Sequence, residues 1–176
     1  MVARRLAIVL LAAVVPVLAA CNSGDGNSSA DPATSAATAT LWDPCTQIPD
    51  DVLRRAGVDP STKQSGIAGV HQSGWEICNW KGKQYTLAVL SGNHSVQEVT
   101  GKEGNVDVQG VTIAGRAGQQ FRVDGATKDL TCDVVFPSGQ GAIELTVIGS
   151  LALDNSGDPC HSLNSVGEQI VPVLPS

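Results

Sequence analysis

The feature that most constrains this chain is a cysteine placed directly behind a short apolar run at the N-terminus. Two arginines, an apolar stretch over residues 6–18 and two small alanines precede Cys21. This order is typical of a bacterial lipobox, whereas a membrane-spanning helix needs about 20 apolar residues. The alternative is an ordinary secretory signal whose cleavage site lies beside a cysteine by chance. We expect residues 1–20 to be a lipoprotein signal peptide and Cys21 to carry the lipid.

A lipid on Cys21 would set the location of everything that follows it. Two or more acyl chains anchor a protein stably, where a single chain is marginal. Loss of the leader takes the formal net charge from −6 to −8, because it removes two arginines. An acidic chain is repelled by nucleic acid and by anionic lipid surfaces. We therefore expect anchoring at the extracytoplasmic face of the cell membrane through the lipid alone, and no nucleic-acid partner.

The segment behind Cys21 has the composition of a tether. Residues 22–40 contain only Asn, Ser, Gly, Asp, Ala, Pro and Thr, so they cannot bury enough apolar surface to offset the entropy of ordering. We expect residues 21–40 to comprise the lipidated cysteine and a flexible tether. The composition changes at Leu41, and the length of 41–176 suits a single domain with one core.

The four remaining cysteines lie in a compartment where disulfides persist. Four cysteines allow three pairings. The sequential pairing joins Cys45 to Cys78 and Cys132 to Cys160, and we prefer it because each bridge joins neighbours in sequence. Pairing Cys45 with Cys132 and Cys78 with Cys160 would also join helices to a sheet. The chain has no CxxC motif and no histidine at ligand spacing from a cysteine pair, so no metal site is expected.

Several short segments carry helix-start signals. Asp-Pro stands directly before Cys45 and before Cys160, with Asp suited to the N-cap and Pro to the first helical position. A further helix is expected over residues 50–56, ended by the glycine that follows. Ser95 opens a capping-box pattern that predicts a short helix. The last helix has apolar residues at helical spacing from Leu163 onward, which indicates one buried face.

Alternating apolar residues predict antiparallel strands between these helices. The clear strands cover residues 75–80, 84–90, 130–136 and 143–147, and weaker ones cover 111–114 and 119–123. The expected fold is α+β, an antiparallel sheet of about five to six strands packed on one face by the N- and C-terminal helices and stapled by two disulfides. The other face, which carries Thr86, Ala88 and Leu90, is only half polar, and no further helix is predicted to cover it.

Three motifs in a fixed order carry a resemblance to a known family. They are Trp-Asp-Pro-Cys at 42–45, Trp-Glu-Ile-Cys-Asn-Trp at 75–80 and Asp-Pro-Cys at 158–160, behind a lipobox and a tether. Together they resemble the domain of unknown function 3558 family, predicted lipoproteins of mycobacteria and related actinobacteria. The resemblance runs from Leu41 to Ser176. It implies a cell-envelope location and two disulfides, and it implies no activity.

Signatures of catalysis are missing from the sequence. There is neither an HExxH nor a GxSxG motif, the two commonest signatures of envelope hydrolases. Ser138 and Ser95, the two serines that could be imagined as nucleophiles, are better interpreted as a turn residue and a helix cap. We therefore expect no enzymatic activity, no catalytic residue and no cofactor.

The tryptophans are the remaining functional candidates. Trp75 and Trp80 are interpreted either as packing around the cysteines or as contacts for a ligand or partner. The expected function is a non-catalytic binding or sensing module that meets a protein or glycan of the cell envelope. The alternative is a small carrier of a lipid or other hydrophobic ligand, which needs a cavity of roughly 300–1,000 Å³.

Overall fold

A computed structural model describes residues 40–150 and 157–176. The predicted signal peptide, Cys21 and the tether up to residue 39 lie outside the described residues. The assignments of leader, lipidation and tether therefore stay predictions.

The strands form one antiparallel sheet in the order β1-β2-β3-β7-β6-β5-β4. The antiparallel α+β architecture is confirmed, but the expected five to six strands were too few, since the sheet has seven. The additional strand, β1, has only two residues and leaves no alternating pattern to detect. The strands are β1 Gln64–Ser65, β2 Trp75–Lys81, β3 Tyr85–Gly92, β4 Asn105–Ile113, β5 Arg116–Val123, β6 Thr131–Ser138 and β7 Gly141–Gly149.

The helices begin where the capping signals predict. The structure has α1 Pro44–Gln47, α2 Asp50–Arg55, α3 Val96–Thr100 and α4 Pro159–Ile170. Asp43 and Asp158 each accept a hydrogen bond at 2.8 Å from the backbone N–H two residues on, as N-caps do. Both bonds of the capping box at Ser95 are present. Within the described ranges, no helix is both long enough and apolar enough to cross a membrane.

Helices α1, α2 and α4 pack on one side of the sheet, which we call the core face. This face buries Trp80, Leu87, Phe136 and Leu145 almost completely. The two disulfides are present in the sequential pairing, and each joins a helix to a strand. Cys45 of α1 is bonded to Cys78 of β2, and Cys132 of β6 is bonded to Cys160 of α4, both with Cα atoms 5.1 Å apart.

On the opposite side of the sheet, which we call the outer face, a helix covers one half of the strands. Helix α3 packs Val96 and Val99 against Phe121, Val135 and Ala142. The sequence predicted this helix but not its docking on the sheet. Its two valines are three positions apart and lie on one side of the helix, which gives even a five-residue helix an apolar contact surface. The half of the outer face built by β2, β3 and β7 is left open.

Candidate binding surface on the outer face of the sheet

The open half of the outer face forms a groove of about 350 Å³, which we call the outer groove. Strands β2, β3 and β7 supply its floor, and segment 62–68 supplies one wall. Two apolar side chains stand at its margins, with Ile67 58% exposed and Ile148 42% exposed. The floor residues are Ile77, Asn79, Thr86, Ala88, Leu90, Thr146 and Ile148.

Strand register brings the floor residues together. Asn79 is paired with Ala88, which is paired in turn with Thr146 on β7. Ile77 is paired with Leu90 in the next row. Because alternate residues of a strand point to the same face, these two rows form one continuous surface. The mixture of methyl groups and short polar groups leaves that surface amphipathic.

The wall of the outer groove is held to the sheet by backbone and side-chain hydrogen bonds. Asn79 Nδ2 donates to the carbonyls of Gly66 and Gln64 at 2.8 and 3.3 Å, and Gly66 N donates to Ile77 O at 2.9 Å. Gly66 has φ +70°, and a Cβ there would lie 2.2 Å from Val70 O. Only glycine fits this tight loop. The wall that carries Ile67 is therefore anchored at its base.

A pair of neighbouring carboxyl groups, the buried Asp133 and the partly buried Glu144, borders the outer groove. Glu144 of β7 is the cross-strand partner of Leu90, and Asp133 of β6 is the cross-strand partner of Thr146. Thr146 Oγ1 donates to Asp133 Oδ1 at 2.6 Å, whereas Asp133 Oδ2 is buried with no donor from an ordinary N–H or O–H group. A neutral Glu144 carries an O–H that the neighbouring Asp133 carboxylate can accept.

Burial controls the protonation of this pair. It raises the pKa of Glu144 to about 8, helped by the nearby charge of Asp133 and opposed by Lys102. Burial also raises the pKa of Asp133 to about 6, against hydrogen bonds from Thr146 and Glu144. Two carboxylates side by side in a water-poor site cannot both ionise readily. The pair therefore holds a shared proton near neutral pH.

The two predicted contact tryptophans lie in different environments. Trp75 is half-buried beside α3, with the His94 ring stacked at 5.1 Å and Lys102 Nζ 5.4 Å from its ring centroid. It does not line the outer groove. Trp80 is 1% exposed in the core, so it has no surface to offer a partner. Of the two interpretations, packing in the core is the one that applies to Trp80.

The serines considered as nucleophiles have structural contacts. Ser95 Oγ accepts from Glu98 N at 3.2 Å and Ser95 N donates to Glu98 Oε2 at 2.7 Å, as a capping box requires. Ser138 Oγ accepts from Gln140 N in the β6–β7 turn. In the part of the chain that the structure describes, no three His, Cys, Asp or Glu residues are grouped so as to hold a metal ion.

Comparison with protein families identifies the chain. A family model described as a protein of unknown function, DUF3558, matches residues 16–173. The chain belongs to the DUF3558 family. This confirms the resemblance drawn from the three motifs. No curated protein and no solved structure matches the chain. The family description assigns no activity to DUF3558 proteins.

Sequence reasoning missed part of this DUF3558 surface. Alternation along residues 130–136 and 143–147 puts Asp133 and Glu144 on the side of their strands away from the core, but the two were not predicted as a pair. The signal was present, because pairing Ser138 with Gly141 across the tight turn fixes the rows in which both carboxyls lie. Ile67 gave no signal, since it stands in an irregular loop that only the fold brings against β2.

Proposed function

We propose that this DUF3558 protein is a non-catalytic binding or sensing module, anchored by a lipid on Cys21 at the extracytoplasmic face of the membrane. We further propose that the outer groove receives an apolar segment of an envelope protein. The observation that carries this is the exposure of Ile67 and Ile148 along a groove whose floor mixes aliphatic and short polar side chains. Apolar patches left open on one face are favoured sites of protein contact.

The composition of the groove favours a protein segment over a glycan. Sugar hydroxyls need many hydrogen-bond partners when they leave water. Two of the three polar side chains of the floor are already engaged, since Asn79 uses its amide N–H groups to hold the wall and Thr146 Oγ1 donates to Asp133. Methyl groups of Leu90 and Ile148 remain accessible and match aliphatic side chains, whereas Ile77 is only 5% exposed. Compared with a glycan, a peptide segment with apolar side chains brings fewer side-chain polar groups into the groove that would be left without a hydrogen-bond partner.

The carrier alternative has less support from the described residues. A carrier encloses its ligand, and the space between the sheet and α4 beside Tyr85 and Val147 is about 10 Å³. The outer groove is large enough for a small ligand but lies open to solvent on the sheet. A lipid of reproducible mass that stays bound through gentle extraction and native mass spectrometry would favour the carrier over the module.

The anchor is tested by replacing Cys21 with alanine. The variant is expected to move from the membrane fraction to the soluble fraction, because it loses the thiol that would carry the lipid. Immunoblotting of fractionated cells measures the distribution, with a serine-to-alanine change at Ser28 in the tether as the matched control. Continued membrane association of the Cys21→Ala protein would contradict anchoring at this residue.

The groove is tested by crosslinking in whole cells. A photoreactive amino acid at position 148 is expected to give a discrete protein adduct, whereas the same residue at position 123 should give none. Ile148 and Val123 are matched controls, since they are 42% and 43% exposed on strands of one sheet and only Ile148 lines the groove. Equal adducts at both positions, or none at either, would contradict the proposed surface.

A further inference from the structure

Two lysines stand apart from the other cationic side chains of this protein. Of the nine Lys and Arg side chains in residues 40–150 and 157–176, seven have heads that contact a carboxylate, a backbone carbonyl or an aromatic ring. The heads of Lys81 and Lys83 contact none of these. They flank Gly82 at the β2–β3 hairpin, on a chain whose formal net charge is −6. Because the chain is acidic overall, these two unpaired cations are not simply part of a generally basic surface.

Both lysines border the largest concavity described, which we call the hairpin concavity. It has a volume of about 810 Å³ and lies at the end of the β2–β3 hairpin. Arg54 of α2 contributes a third cation, and the backbone of Gly57 and Gly82 forms part of the lining. The opening is wide, so a ligand can enter without any rearrangement of the chain.

The frame of the hairpin concavity is rigid. Asp59 N donates to Lys81 O at 2.9 Å, and Tyr85 Oη donates to Ala56 O at 2.6 Å. The backbones approach so closely that a Cβ on Gly82 would lie 2.5 Å from Gly57 O. The segment after α2 and the hairpin are thus locked together. Charged groups on such a frame are held near one another without the cost of ordering the backbone on binding.

The charges of the concavity add up to an excess of positive charge. Its single acidic lining residue is Asp59, whose Oδ1 accepts from Ser61 N at 2.9 Å and from Ser61 Oγ at 2.8 Å. These hydrogen bonds from Ser61 hold the pKa of Asp59 below its usual range. Arg54 contacts Asp50 at 3.2 Å, but both side chains are about two-thirds exposed, where such pairs are weak.

We propose that the hairpin concavity is a binding site for a phosphate ester, with Lys81, Lys83 and Arg54 contacting its oxygens. Two ammonium groups and a guanidinium suit a group with several anionic oxygens, and arginine adds a planar fork of donors. A single carboxylate carries too little charge to use all three cations. This site shares Thr62 and Lys81 with the edge of the outer groove, but it does not depend on the function proposed for that groove.

The hairpin concavity and the start of the described chain lie at opposite ends of the strands. Gln140 holds the start of the described chain, donating to Thr40 O at 2.8 Å and accepting from Trp42 N at 2.9 Å. Gln140 lies in the β6–β7 turn, at the opposite end of the strands from the β2–β3 hairpin. About eight residues of strand, roughly 26 Å, separate the two ends. The site is thus remote from the residues at which the described chain begins.

Titration of the full chain with inorganic pyrophosphate tests the site. Calorimetry in an uncharged detergent is expected to show saturable binding to the wild type that weakens with added salt. The Lys81→Met/Lys83→Met variant should bind at least about tenfold more weakly. Lys83→Met alone should also weaken binding, and it separates the two surfaces because Lys83 does not line the outer groove. Lys128→Met is the control for Lys83→Met, since each removes one positive charge and Lys128 lies outside the concavity.

The source of the phosphate is distinguished in a second arm. Vesicles of phosphatidylcholine with and without phosphatidylglycerol are tested against the same variants. Vesicle binding that needs phosphatidylglycerol and is lost in the double variant would identify a lipid headgroup as the ligand. Binding of pyrophosphate without such vesicle binding would identify a soluble phosphate ester. Circular dichroism checks that every variant is folded, as expected for exposed lysines. If neither probe binds, or if Lys128→Met weakens binding as much as the double variant does, the proposal is wrong.

Discussion

Replacing both Cys132 and Cys160 with alanine is expected to lower the free energy of unfolding by about 3.5 kcal/mol. The bridge closes a loop with a sequence separation of 28, so it restricts the unfolded chain strongly. It also ties α4 to β6, and α4 contributes Leu163, Val166 and Ile170 to the core. Urea unfolding of the two proteins, each extrapolated to water with its own m-value, measures the difference in free energy of unfolding.

The second disulfide provides an internal comparison. The Cys45–Cys78 bridge closes a loop with a sequence separation of 33, so a similar loss is expected when both cysteines are replaced by alanine. A loss below about 1 kcal/mol for either pair would contradict the account of two structural staples. Alanine is chosen because Cys78 and Cys132 are fully buried, where a serine hydroxyl would add a separate cost.

Lowering the pH from about 8 to about 5 is expected to raise the free energy of unfolding by roughly 2–4 kcal/mol. The cause is the buried pair of Glu144 and Asp133, whose pKa values are raised to about 8 and about 6 in the folded chain. Between the ordinary and the raised values the folded state binds more protons than the unfolded state. Stability from this pair is therefore full at low pH and is lost as the pH rises through the raised values.

Other carboxyl groups set the lower limit of this pH window. Hydrogen bonds, chiefly to backbone N–H groups, hold the pKa values of Glu98 and Asp158 below their usual range. Their contribution is present above the ordinary pKa and is lost as the pH falls through the lowered values. Stability should therefore pass through a maximum near pH 5 and decline in stronger acid.

Glu144→Gln isolates the contribution of the pair. The amide keeps a donor for Asp133 but cannot ionise, so the variant is expected to be more stable than the wild type at pH 8. Its dependence on pH between 5 and 8 should shrink by more than half. Glu103→Gln, which changes an exposed carboxyl, is the matched control. Chemical unfolding of the three proteins across the pH range measures these effects, and an unchanged pH dependence in Glu144→Gln would contradict the assignment.

Local chemistry explains which parts of the fold the sequence predicts. Asp-Pro pairs mark the starts of α1 and α4, and Ser95 with Glu98 marks α3, because a cap depends on residues only two or three apart. The β6–β7 hairpin is predictable for the same reason, since its alternation is clear on both sides of one turn. The predicted turn was too long, because Pro137 and Ser138 continue β6 and pair with Ala142 and Gly141.

Contacts between distant segments explain what the sequence does not predict. Strand β1 exists because Gln64 and Ser65 pair with Asn79 and Cys78 of β2 across a long loop, and neither segment signals the other. The docking of α3 and the exposure of Ile67 depend likewise on tertiary packing. Trp80 and Trp75 share one strand and one residue type, yet alternation places Trp80 in the core and Trp75 beside α3. The hairpin concavity needs α2 and the β2–β3 hairpin to meet.

The most direct measurement of the central claim uses the protein captured by crosslinking at position 148. Its affinity is measured for the wild type, for Ile148→Glu and for Val123→Glu in the absence of crosslinker. The affinity of the captured partner for Ile148→Glu is expected to be at least about tenfold weaker than for the wild type, because a carboxylate would be buried against an apolar segment. Val123→Glu should bind as the wild type does. Equal affinities for Ile148→Glu and the wild type would contradict the outer groove as the partner's binding site.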